Sequence, residues 1–218
     1  TGTIYPLVDS SESIEFNALD LIGRYDPPPT LTAVDKIEQT TELKKGWNWF
    51  SLYVKSDDMN VKSVFGSVAD DLVMVKGQSQ QEGFIMHENG IWAGSMKELS
   101  NSRMYSVKMS ADQDFSLIGS RISSENQKIT IVRGWNWVGY YGSQVISVTD
   151  ALAGMNPQNG DIIKGQSGVA YYDNFEWNGS LKTLEPGHGY MIMSTTDAER
   201  QFSYPSVTTS PRRAPGRS

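Results

Sequence analysis

The feature that most restricts how this chain can fold is an internal repeat. Gly46-Trp47-Asn48-Trp49 returns 88 positions on as Gly134-Trp135-Asn136-Trp137, and Lys76-Gly77-Gln78-Ser79 returns at the same offset as Lys164-Gly165-Gln166-Ser167. Trp92-Ala93-Gly94-Ser95-Met96-Lys97-Glu98-Leu99 then matches Trp177-Asn178-Gly179-Ser180-Leu181-Lys182-Thr183-Leu184 at an offset of 85, as Tyr105 does Tyr190. Four blocks in one order, with a single three-residue length change, mark a tandem duplication of a unit of roughly 80–88 residues. The copies can pack as one sheet system or as separate lobes, and the repeat does not decide between them.

Each unit reads as mainly β with one short helix, in the order β-α-β-β-β-β. The opening strand spans 43–54 in the first copy and 129–141 in the second, both rich in β-branched and aromatic residues. A helical spacing follows: Val61, Val64, Phe65 and Val68 in one copy, Val148, Ala151, Leu152 and Met155 in the other. Ser147 and Asp150 have the form of a capping box, and Asn156-Pro157 with Asn159-Gly160 ends that helix. Further strands are expected at 72–76 and 161–164, 83–87 and 169–173, 104–109 and 190–194, then 115–118 and 201–204. Trp-x-Gly-Ser reads as a turn into a strand pair. The repeats occupy residues 37–121 and 122–205. Residues 1–36 read as the tail of a preceding module or a strand-adding arm, ending in a stiff linker at Pro27-Pro28-Pro29; residues 206–218 read as a flexible tail.

Composition removes several classes of function. Aromatics make up 11% of the chain beside 20 Gly and 9 Pro, which excludes a disordered chain. No window approaches the ~18 apolar residues of a membrane-spanning helix, so no membrane insertion is expected. Over residues 1–210 there are 16 basic residues against 25 acidic ones, which argues against a nucleic-acid partner. Without cysteine there is no disulfide frame, no thiolate nucleophile and no Cys-based metal site, whichever redox compartment holds the chain. Thr1 in place of Met reads as a fragment or processed product.

The Gly-Trp-Asn-Trp, Lys-Gly-Gln-Ser and Trp-x-Gly-Ser-x-x-x-Leu blocks, with Pro186-Gly187-His188-Gly189-Tyr190, carry a resemblance. The pattern over residues 37–205 resembles the "GWN" repeat modules of large secreted or cell-surface proteins of Bacteroidetes-type bacteria. Those modules open on Gly-Trp-Asn and close on a Gly-Tyr strand. The first copy departs from this in having Ser102-Arg103-Met104 before Tyr105. The resemblance implies an extracellular, non-catalytic module, often inside multidomain proteins, with no well-defined ligand and no catalytic residues to carry over.

Several residue clusters could carry binding. Period two places Trp47 and Trp49 on one strand face with Asn48 and Phe50 on the other, and likewise in the second copy. The tryptophans are read as core, with sugar stacking as the alternative, and the Asn as bonding nearby backbone. The Gln of Lys-Gly-Gln-Ser is read as satisfying loose backbone groups at a turn rather than holding a ligand. The richest candidate surface is Tyr171-Tyr172-Asp173-Asn174-Phe175-Glu176-Trp177-Asn178, across a hairpin turn. Here Tyr172 and Trp177 could stack on a sugar while Asp173 and Asn174 take its hydroxyls; ordinary core plus loop is the alternative. The matching residue to Tyr172 is taken as Met86. Catalysis finds little support: His87 and His188 do not occupy matching repeat positions, no nucleophile elbow, zincin, Walker or dinucleotide motif occurs, and a glycosidase would need two carboxylates facing one cleft. The acidic pairs lack the Ca²⁺-loop pattern, so neither metal nor cofactor is expected. The expectation is therefore a non-catalytic, secreted or cell-surface module recognising a glycan or host-surface polymer. The rival is a structural or protein-docking spacer between neighbouring domains.

Overall fold

The opening strand expected from the sequence is broken, and the break explains the Gly-Trp-Asn signature. A computed structural model describes residues 36–123 and 126–206. The N-terminal strand pair, the proline linker and the C-terminal tail lie outside these described residues. In the first repeat β1 (Lys36–Leu43) is followed by β2 (Gly46–Phe50) and β3 (Val54–Lys55). Gly46 has φ +97° and Gly134 has φ +91°, a corner that a side-chain-bearing residue rarely adopts. Asn48 and Asn136 lock the corner. The Asn136 amide donates to the Val132, Gly134 and Ile192 carbonyls at 2.7, 2.9 and 3.2 Å, and accepts from the Val132 N–H at 3.0 Å. Asn48 makes the matching bonds to Lys44, Gly46 and Val107.

The rest of the first repeat runs through a one-turn helix (Val61–Val64) to β4 (Leu72–Lys76), β5 (Phe84–Glu88), β6 (Ile91–Gly94), β7 (Tyr105–Met109) and β8 (Gln113–Arg121). The second has β9 (Ile129–Ile131), β10 (Gly134–Gly139), β11 (Ile146–Ser147) and a helix at Val148–Leu152. It continues with β12 (Ile162–Lys164), β13 (Val169–Asp173), β14 (Glu176–Gly179), β15 (Thr183–Leu184), β16 (Gly189–Ser194) and β17 (Arg200–Phe202). The mainly β expectation holds. Ser147 accepts the Asp150 N–H at 3.0 Å, as its capping pattern predicts.

Two five-stranded antiparallel sheets dominate, in the orders β2-β7-β4-β5-β6 and β10-β16-β12-β13-β14, which correspond strand for strand. Each covers its own core. Phe50, Phe65 and Phe115 pack ring to ring in the first, with centroids 4.9–5.6 Å apart. Tyr140, Tyr141 and Phe202 surround Tyr204 in the second. The short helices and the smaller ladders, β1-β8-β3 and β17-β9, contribute residues to these cores. The repeated tyrosines have a matching role: Tyr105 accepts the Ser100 N–H and Tyr190 the Glu185 N–H, both at 2.7 Å.

The repeats dock reciprocally. Gln166 accepts the Trp49 N–H at 2.8 Å and donates to the Trp47 carbonyl at 2.8 Å, so its amide pairs with the free edge of β2 as a strand would. Gln78 does the same to β10, accepting from Trp137 at 2.7 Å and donating to Trp135 at 2.6 Å. The loose backbone groups that the Gln was expected to satisfy belong to the other repeat. Ser51 N–H also donates to the Gly187 carbonyl, and Gly139 N–H to that of Ser102, both at 3.0 Å. Each repeat thus covers an edge that would otherwise be open to pairing.

Candidate functional site

The segment singled out by sequence forms the β13–β14 hairpin. Its turn is Asn174-Phe175, with φ +48° and +67°, the left-handed pair of a tight hairpin. Asn89-Gly90 makes the corresponding turn in the first sheet, so Phe175 sits where glycine is conformationally free. The Phe175 ring is 89% exposed. Phe175→Gly should therefore raise stability by about 1 kcal/mol, a melting shift of about 2–4 °C. An unchanged or lowered melting temperature would show that the ring supports the turn.

Tyr172 and Trp177 are register partners with ring centroids 5.2 Å apart, both half-buried, and Trp177 packs against the second core. The first sheet has the same arrangement, His87 opposite Trp92 at 4.6 Å. His87, rather than Met86, is the counterpart of Tyr172: Met86 faces Ala93 and Tyr171 faces Asn178, one residue earlier in each hairpin. A stacked ring at this point serves both hairpins. Of the four residues expected to share a site, Tyr172 and Trp177 lie together on the core side of the sheet. Asp173 turns to the other face, and the Asn174 amide donates to its carboxylate at 3.0 Å.

The tryptophans read as core are not core. In β2 and β10 Asn and Phe50 or Val138 point inward, while Trp47 and Trp135 are 41% and 39% exposed on the outer face. The physical reason is the corner: Asn must lie beneath the strand to reach the turn carbonyls, which sends its neighbours outward. On this face the register aligns Trp135, Met193, Ile162, Tyr171 and Asn178 in one row across five strands. The first sheet aligns Trp47, Lys108, Met74, Met86 and Ala93. Trp135 to Tyr171 spans three strand spacings, about 14 Å, and Tyr171 is 49% exposed.

Both outer faces open to the same side. Phe50, on the first core face, forms an isolated antiparallel bridge with His188, and bridged residues point their side chains to one side. His188 shares its parity with Tyr190, which lies in the second core. The two cores therefore share one side, and the four tryptophans of the paired blocks share the other.

Lysines lie on these rings. Lys76 Nζ is 4.6 Å and Lys108 Nζ 5.7 Å from the Trp47 ring centroid, and Lys164 Nζ is 5.1 Å from that of Trp135. Met74-x-Lys76 and Ile162-x-Lys164 alternate a lysine onto this face, the one sequence signal that could have identified it as wet. Among the described residues, no group of three or more His, Cys, Asp or Glu could hold a metal ion. No described helix is long and apolar enough to cross a membrane. No protein-family model, curated protein or solved structure matches the chain.

Proposed function

We propose that this protein is a non-catalytic binding module, secreted or displayed on a bacterial cell surface, that recognises a glycan or host-surface polymer on the open side of its two sheets. The row from Trp135 to Tyr171 carries this reading. It is an apolar row about 14 Å long on the outer face, with an exposed aromatic residue at each end and an amide, Asn178, beyond Tyr171. An apolar row with an exposed ring at each end suits an extended chain of sugar rings, whose apolar faces pack on aromatic ones. The resemblance to surface-protein repeats supports the extracellular, non-catalytic part of this reading. Tyr172 and Trp177 act behind the strip by stiffening the hairpin that presents Tyr171.

The test is calorimetry on a hit from a glycan array. Trp135→Ala and Tyr171→Ala should each weaken binding about tenfold or more and leave melting within about 2 °C of wild type, as expected for exposed side chains. Tyr172→Ala should lower the melting temperature. If both outer-face variants bind like wild type, the strip is not the site. If the array yields no glycan, the protein-docking spacer replaces this reading, with the exposed Phe175 tip as its natural contact.

A further inference from the structure

The ligand's chemical class can be read from the charges around the strip. The body is acidic, with a net charge of −6, yet the centre of the outer side carries Lys76, Lys108 and Lys164. Among the described residues none of the three has a carboxylate within ion-pairing distance, which is equally true of Lys45, Lys55, Lys62, Lys97, Arg121, Lys128 and Lys182; what sets the three apart is their place over the Trp47 and Trp135 rings. The carboxylates that share this side by strand parity, Glu88, Asp173 and Glu176, sit at the hairpin ends, on the strands farthest from β2 and β10. Glu82, nearer the centre, faces Arg103 at 3.5 Å and accepts the Gln78 N–H. Lys76 and Lys164 are equivalent repeat positions, so the lysine-on-indole arrangement occurs twice on one side of the molecule.

We infer that the outer side binds an anionic polysaccharide, one bearing carboxylates or sulfates along its chain, with Lys76, Lys108 and Lys164 meeting the charges while the aromatic rings take the sugar faces. This rests on the glycan reading above. An ammonium resting on an indole is held in place without being neutralised, so it can turn from the ring to an anion at small conformational cost. A neutral polysaccharide would leave those lysines unused. A polymer as densely charged as nucleic acid would meet the repulsion of the acidic body along its whole length.

The experiment measures binding of the intact chain to four probes: polygalacturonate, chondroitin sulfate, neutral dextran and oligo-dT. Polygalacturonate or chondroitin sulfate should bind, with affinity falling about a hundredfold between 50 and 500 mM NaCl, a log–log slope near −2 for three lysine contacts. Lys76→Gln with Lys164→Gln should weaken that binding about fivefold or more and flatten its salt dependence, while the Lys→Arg pair retains both. Circular dichroism melting of the same variants separates a folding defect from lost contacts, since the arginine pair must also fold and bind. Binding to dextran but to neither polyanion overturns the anionic assignment and leaves the glycan reading standing. Binding to oligo-dT alone, or to no probe, overturns both. Polyanion binding that the glutamine pair leaves unchanged places the contact elsewhere and overturns the assignment of these lysines.

Discussion

Arg200→Ala is expected to destabilise the fold by about 3–5 kcal/mol, the scale for removing one partner of a buried ion pair. Asp161 is fully buried, and Arg200 Nη1 lies 2.7 Å from its carboxylate. Burial alone would raise the Asp161 pKa, but the Arg200 guanidinium and the backbone N–H groups of Gln158 and Thr195 outweigh it and hold the carboxyl below its ordinary value. These groups gather the 156–161 turn, the end of β16 and the start of β17 around one charge. With a depressed folded pKa, the wild type should keep this stabilisation above the unfolded carboxylate pKa, about 4, and lose it as pH falls through the folded value. In Arg200→Ala burial is left with less opposition, so the folded pKa moves upward and the deficit relative to wild type should shrink on acidification. Urea melts at pH 7 and pH 4 check this. A deficit that is equal at both pH values would mean that Arg200 acts through packing rather than through the Asp161 charge.

Asn136→Ala should cost about 2–3 kcal/mol, and Asn48→Ala a similar amount. Each substitution removes a buried amide that closes the glycine corner and leaves part-buried backbone groups of the corner, and one buried carbonyl of the neighbouring strand, without that partner. Trp135→Ala, one residue away, should change stability far less because its ring is on the wet side. The contrast between neighbours separates this fold from one in which the tryptophans form the core. A Trp135 variant that melts as low as the Asn136 variant would reject the orientation of β10. Chemical denaturation of the three variants side by side gives the answer.

Much of the architecture was legible because it rests on local chemistry that is written twice. Strand positions at 72–76 and 169–173 match the structure residue for residue, and the Ser147 cap is where its spacing places it. The apolar spacing through Val61, Val64, Phe65 and Val68 marks four buried residues, although only a single turn of α-helix forms before a tighter 3-10 segment at Gly66–Asp71. The opening strand reads as one long segment because alternation continues across the corner, and only the positive φ of the glycine reveals the break.

What periodicity cannot supply is the side of a strand that meets the core. Period two sorted Trp47 and Trp49 from Asn48 and Phe50 correctly, but both faces carried aromatics, so hydrophobicity alone did not choose between them. The choice came from the Asn48 amide, which must sit under the strand to reach Lys44 and Gly46, and from the Phe50–Phe65–Phe115 cluster that forms only when distant segments meet. A one-residue shift likewise hid the match of Tyr172 to His87, since register is a property of two strands and not of either one. Local pattern along the chain carries the repeated β units, the Ser147 cap, the hairpin turn after Asp173 and the role of Gln toward loose backbone groups, but it misses the Asn60 cap and misreads Trp-x-Gly-Ser as a turn, when Trp92–Gly94 and Trp177–Gly179 lie in β6 and β14. Tertiary structure alone decided that those groups lie on the other repeat's edge, that the four tryptophans share one side, and that lysines lie on two of them. Each of these depends on contacts between residues dozens of positions apart, set by how two sheets pack, and no local pattern along the chain records that packing.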